Sequence, residues 1–178
     1  MNKVFIAASI DGYIADKDGK IDWLHAIPNP AHDDMGYNQF ISTVDAIVMG
    51  RTTFETVLGF DIDWPYEIPV FVLSRTLKSV PESLADKVHL VQGTLHEIVQ
   101  TIHEQGYTNL YIDGGTTIQG FLKEDLIDQL IIATIPVLLG GGSPLFGFLD
   151  QQLPFEHVKA TRYLDCIVQN EYRRKREG

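Results

Sequence analysis

The sequence predicts an α/β fold, a mostly parallel sheet with helices on both faces and an antiparallel C-terminal hairpin. Short all-apolar runs, such as Ala46–Met49 and Val70–Leu73, are bounded by glycine, proline or polar residues, the pattern of strands buried on both faces. Segments with apolar residues three and four apart, such as Leu95, Ile98, Val99 and Ile102, lie between those runs and read as amphipathic helices. Strands alternating with helices imply parallel pairing through crossover connections. Two late segments, Phe155–Tyr163 and Asp165–Arg173, alternate instead and are joined tightly at Leu164-Asp165, which reads as a hairpin.

In chain order, Lys3–Ser9 is a strand without charge after Lys3. Asp11-Gly12 turns the chain, Tyr13-Ile14-Ala15 follows, and Asp16–Lys20 is a polar loop. Ile21–Leu24 brings Trp23 back toward the body, and Pro28-Asn29-Pro30 is a breaker. Ala31–Thr43 reads as a helix, with Asp33 and Asp34 in its first turn, where carboxylates suit the dipole. After the strand Ala46–Met49, Gly50 ends the run, and Thr52 or Thr53 can cap a short helix to Leu58. Asp61–Pro69 is a loop, Pro69–Leu73 a strand ending in Ser74-Arg75-Thr76, and Val88–Val91 another strand. The helix Leu95–Glu104 stops at Gly106. Asn109–Ile112 is a strand, and Asp113-Gly114-Gly115-Thr116-Thr117 turns into a helix that ends near Lys123. Ile127–Leu139 holds a long strand, closed by Gly140-Gly141-Gly142-Ser143-Pro144.

A chain of 178 residues fits one domain with a sizeable core. Apolar residues at 44% and charged residues at 21% place it among ordinary globular proteins, and no apolar run reaches the length of a membrane span. The N-terminus enters a strand without a basic segment or cleavage pattern, and the single cysteine, Cys166, has no internal partner. A cytoplasmic location is therefore expected. Net charge of −10 argues against nucleic acid as a partner, the basic tail Arg173–Arg176 reading as a solvated strand end. No histidine shows metal-ligand spacing with acids or cysteine, so no metal is expected.

Three strand ends carry ligand-type residues: Gly50-Arg51-Thr52-Thr53, Ser74-Arg75 and Gly114-Gly115-Thr116-Thr117. In a parallel sheet such ends share one side, where ligands bind. A glycine pair before a helix start suits a pyrophosphate, since the backbone can come close and the first-turn N–H groups are free. Two arginines and a serine suit a phosphate dianion on a ribose. Together they outline a phosphorylated dinucleotide. There is no Gly-x-Gly-x-x-Gly fingerprint of the Rossmann kind.

On these and further residues the chain resembles the dihydrofolate reductase superfamily, in particular the branch of the riboflavin-biosynthesis reductase domain. The resemblance covers nearly the whole chain. It rests on Phe5–Ala15, Met49–Glu55, Val72–Arg75, Asp113–Gly115 and Pro136–Gly142, with Ser9-Ile10-Asp11-Gly12 and the glycine run pointing to the riboflavin-type branch. It implies reduction of a small heterocyclic or carbonyl substrate with NADPH as cofactor. By position, Ala8 and Ile14 would line the nicotinamide pocket. Arg51, Ser74 and Arg75 would hold the 2′-phosphate end, while Gly50, Thr52, Thr53, Gly114, Gly115, Thr116 and Thr117 would hold the other phosphates. The acid that serves the substrate in dihydrofolate reductases falls, by spacing before Gly50, on Asp34, with Asp33 beside it. Members of the branch are commonly dimeric, so a homodimer is expected. Two other readings stand beside this one: dihydrofolate reductase itself, and a nucleotide-binding module without chemistry.

Overall fold

The computed structural model describes residues 1–177. Ten strands are found: β1 (Asn2–Ser9), β2 (Tyr13–Ala15), β3 (Ala46–Gly50), β4 (Val70–Leu73), β5 (Val88–Val91), β6 (Leu110–Asp113), β7 (Gln129–Ile135), β8 (Ser143–Pro144), β9 (Phe155–Tyr163) and β10 (Ile167–Arg174). Four helices accompany them: α1 (Tyr37–Ile41), α2 (Arg51–Leu58), α3 (Leu95–Glu104) and α4 (Gly115–Lys123). Eight strands form one sheet in the order β5-β4-β3-β6-β1-β7-β10-β9. Pairing is parallel from β5 to β7, while β10 runs antiparallel to both β7 and β9. The expected parallel sheet with an antiparallel C-terminal hairpin is thus present.

Each inner strand feeds two cores, because successive side chains leave opposite faces. Val48 and Ile112 pack under α3 and α4 with Ile98, Ile102, Ile118 and Phe121. Ile47, Met49 and Tyr111 pack on the other face with Phe40 of α1 and Phe54 of α2. That two-sided demand is why β3 and β6 read as unbroken apolar runs. Phe54, Phe71 and Phe121 are almost wholly buried, and each such side chain contributes about 1.5–3 kcal/mol. Among the described residues no helix is long and apolar enough to cross a membrane.

Three expectations on local structure are corrected. The helix placed at Ala31–Thr43 is α-helical only at Tyr37–Ile41. Short polar side chains capture its first half in turns. Asn29 Oδ1 accepts from the Asp33 N–H, Asp33 Oδ1 from the Met35 N–H, and Asp34 Oδ1 and Oδ2 from the Gly36 and Asn38 N–H groups. His32, Met35 and Gly36 take positive φ, which no α-helix can absorb. Asp33 and Asp34 therefore precede the helix. The long strand stops at Ile135, before Pro136. It lies between β1 and β10 in the sheet. Neither Thr52 nor Thr53 caps α2: the capping position is Gly50 in extended backbone. Finally, Tyr13–Ala15 pairs with Ser143–Pro144 as a separate two-stranded sheet.

Candidate active site

A cavity of about 980 Å³ opens at the carboxyl ends of β3, β6 and β1, which are neighbours in the sheet. Gly50 and Asp113 end two of these strands, and register sets Asp113 opposite Met49, so both ends reach the same level. Ile6 and Ala7 of β1 complete the floor.

Two helices begin at this floor without a side-chain cap. Gly50 precedes α2 and Gly114 precedes α4, and neither has a side-chain oxygen to offer the first turn. By contrast α3 carries a full capping box, with Thr94 Oγ1 accepting from the Glu97 N–H and Glu97 Oε2 from the Thr94 N–H. Uncapped first-turn N–H groups need acceptors, and at α2 and α4 the residues that carry them line the cavity. The glycines are required by proximity. A Cβ on Gly50 would meet Thr117 Oγ1 at 2.8 Å, and one on Gly115 would meet Ile14 Cδ1 at 2.7 Å. Gly114 has φ +96°, and its Cβ would run into Thr53 Oγ1. The two helix starts therefore converge to contact.

A flap covers the cavity from β2 and β8. Asp11 anchors it: Oδ1 accepts from the Ser9 hydroxyl at 2.6 Å and the Leu139 N–H at 3.1 Å, while Oδ2 accepts from the Gly140 N–H at 2.8 Å. The Ser9 hydroxyl contact holds the Asp11 carboxyl below its usual range, though burial opposes. Gln119 of α4 donates to the Pro144 carbonyl at 2.8 Å, which ties the flap to the helix. Ile14 thus lies over Gly115.

The structure gathers most of the expected site residues. Ile14, Gly50, Arg51, Thr52 and Thr53 line the cavity, and Gly114, Gly115, Thr116 and Thr117 face them. Ser74 and Arg75 line a smaller adjoining hollow of about 200 Å³, which shares Leu73 and Leu95 with the main cavity. The Ser74 oxygen accepts from the Leu77 N–H at 2.9 Å, which leaves its hydroxyl proton free to donate. Arg51, 45% exposed, is engaged with Glu55 at 2.7 Å and with the Thr76 hydroxyl at 2.5 Å. Ala8 and Asp34 are not brought to the cavity wall. Ala8 is buried in the core under α4, and Ile6 and Ala7 take the wall in its place. Asp34 holds the turn into α1, and Asp33 and Asp34 lie near Tyr163 of the hairpin, whose phenol is raised by burial first and by their charge second.

Asp113 is the site residue that sequence reasoning passed over, quoted only as part of a motif. Its carboxyl is pushed up to about 6 by desolvation, against the lowering effect of the Gly114 N–H, which donates to Oδ1 at 2.9 Å. The phenols of Tyr66 and Tyr37 are raised by burial and, secondarily, by the Asp113 charge. A carboxylate closing an apolar strand just before a glycine pair was the signal available.

A family model, the RibD C-terminal domain, matches residues 3–168. The chain is 55% identical to a proposed riboflavin biosynthesis protein from Shewanella sp. PV-4, with a TM-score of 0.96 over 98% of this chain and 99% of that one. Two more distant structures share the fold. A deaminase/5-amino-6-(5-phosphoribosylamino)uracil reductase from Thermotoga maritima is 16% identical, with a TM-score of 0.74 over 98% of this chain and 56% of that one. Dihydrofolate reductase from Enterococcus faecalis, solved with NADP(H), is 21% identical, with a TM-score of 0.67 over 99% of this chain and 97% of that one. The fold is dihydrofolate-reductase-like, and the chain belongs to the RibD C-terminal domain family.

Proposed function

We propose that the chain is an NADPH-dependent reductase acting on a small heterocyclic or carbonyl substrate, similar to the pyrimidine reductases of riboflavin synthesis. The observation that carries this reading is the pair of uncapped helix starts, α2 and α4, converging on one cavity beside Arg51. The residues fit the cofactor. Gly50, Gly114 and Gly115 let the two helix starts close on each other, which would gather their free N–H groups around one pyrophosphate. Ile14 on the flap would flank a nicotinamide ring. Arg51, with Ser74 and Arg75 in the adjoining hollow, would hold a ribose 2′-phosphate. Bound there, NADPH supplies the hydride, while the protein orients the reactants and excludes water. The Asp11-anchored flap and the apolar floor would serve that exclusion.

The cofactor preference sets the test. A charge-assisted hydrogen bond contributes roughly 1.5–3 kcal/mol. Arg51 is exposed and must exchange Glu55 for the phosphate, so the lower part of that range applies. About 1.4 kcal/mol is tenfold. Calorimetric titration should therefore show NADPH binding about tenfold or more tighter than NADH. Arg51→Ala and Arg75→Ala should each weaken NADPH and leave NADH unchanged. Equal affinity for both cofactors in the wild type would refute the assignment.

A further inference from the structure

The cavity is electrostatically lopsided. Among the described residues lining it, Arg51 is the only cation and Asp113 the only carboxylate. Arg51 stands at the helix starts, where the cofactor's phosphates are assigned. Strand alternation turns Asp113 the same way as Tyr111, toward the α1 and α2 face and away from the core under α4. Ala7 follows Phe5 to that face, where it packs with Leu24. Beyond the helix starts, the cavity lining includes Ala7, Leu24, Phe60 and Tyr66 together with Asp113.

Its rim does not supply the missing positive charge. The segment 16–22, whose Gly19 and Ile21 reach the cavity, carries Asp16, Asp18 and Asp22 against Lys17 and Lys20. Lys17 is laid along Gly141 of the glycine run, its Cε 2.7 Å from where a Cβ there would stand. Asp33 and Asp34 immediately precede Met35, which packs in the same cluster as Leu24. A phosphate monoester carries nearly two negative charges at neutral pH. In this half it would meet Asp113 and an acidic rim, with no arginine or uncapped helix start left to receive it.

We propose that the substrate half takes an aminopyrimidine riboside without a terminal phosphate, and that Asp113 rejects the phosphorylated form. This rests on the pyrimidine-reductase reading above. It departs from the phosphoribosyl compound in the name of the Thermotoga maritima enzyme. Wall chemistry favours a flat ring: Tyr66 and Phe60 offer aromatic surface, Ala7 and Leu24 aliphatic surface.

The experiment is a pair of calorimetric titrations at pH 8, with 5-amino-6-ribosylaminouracil and with its 5′-phosphate, on protein with and without saturating NADP⁺. The riboside is expected to bind at least tenfold tighter than its phosphate. Asp113→Asn should narrow that gap at least threefold, because it removes the charge and keeps the shape. A phosphate form that binds equally or more tightly overturns the proposal, as does failure of both forms to bind at millimolar concentration. A gap unchanged in Asp113→Asn overturns the role of that residue. Failure of NADP⁺ to bind would refute the cofactor reading instead, and the titrations without it would still compare the two pyrimidines.

Discussion

Asp113→Asn tests the electrostatics of the site through folding stability alone. Folded Asp113 keeps its proton up to about 6, whereas the unfolded chain releases it near 3.8. Between those values the native state binds more protons, so rising pH favours unfolding. The wild type therefore loses stability as pH climbs from about 4 to about 6 and then levels off. Asparagine does not titrate, and its amide oxygen can still accept the Gly114 N–H. Over the span from pH 5 to pH 8 the interval from 3.8 to about 6 corresponds to about 1.4 kcal/mol. Asp113 keeps some surface on the cavity, and water there softens the desolvation, so this figure is an upper bound. Asp11, Asp45 and Asp125, all held below the usual carboxylate range by hydrogen bonds, lose their contribution as pH falls. They are common to both proteins and cancel in the difference. The assay is urea unfolding of wild type and variant at pH 5 and pH 8. The variant should gain about 1 kcal/mol relative to wild type on moving to pH 8. Parallel stability at both pH values, or a relative loss at pH 8, would refute the placement of a desolvated carboxyl at the end of β6.

Gly114→Ala is expected to destabilise the fold by about 1–2 kcal/mol, from its positive φ alone, and to weaken NADPH by tenfold or more. Gly59→Ala, at right-handed φ beyond the other end of α2, should do neither; thermal melts and cofactor titration compare them, and equal behaviour would undo the cradle. Asp34→Ala should loosen the entry to α1 by about 0.5–2 kcal/mol, the usual scale of a lost cap, and Asp34→Asn by less, since the amide keeps one acceptor oxygen. Because Asp34 lies off the cavity wall, turnover and NADPH affinity should both stay within twofold in the Asn variant, and a large loss of turnover would return Asp34 to the substrate side. The exposed Ile10, Leu138 and Val168 lie at one end of the sheet, and we propose that a second copy covers them. Light scattering at micromolar concentration should give a dimer mass, and a monomer mass would defeat the idea.

Much of the fold was legible in the sequence because burial on two faces leaves a local trace. The apolar runs of β3, β4 and β6 could not be other than inner strands, and the alternation of β9 and β10 marked a hairpin. The periodic apolar face of α3 is likewise written within ten residues. The helix-start half of the candidate site was legible for the same reason, since glycine followed by a helix start is a local requirement of close backbone approach. What only the tertiary structure decided depends on groups distant in the chain. The stretch 31–36 has helix-compatible composition, yet side-chain acceptors from Asn29, Asp33 and Asp34 outcompete the helix there. The flap exists because Asp11 reaches the N–H groups of Leu139 and Gly140, 128 and 129 residues away. Asp113 became a candidate only when the sheet set it beside Gly50 and near the phenols of Tyr66 and Tyr37, since desolvation belongs to the assembled neighbourhood and not to the residue.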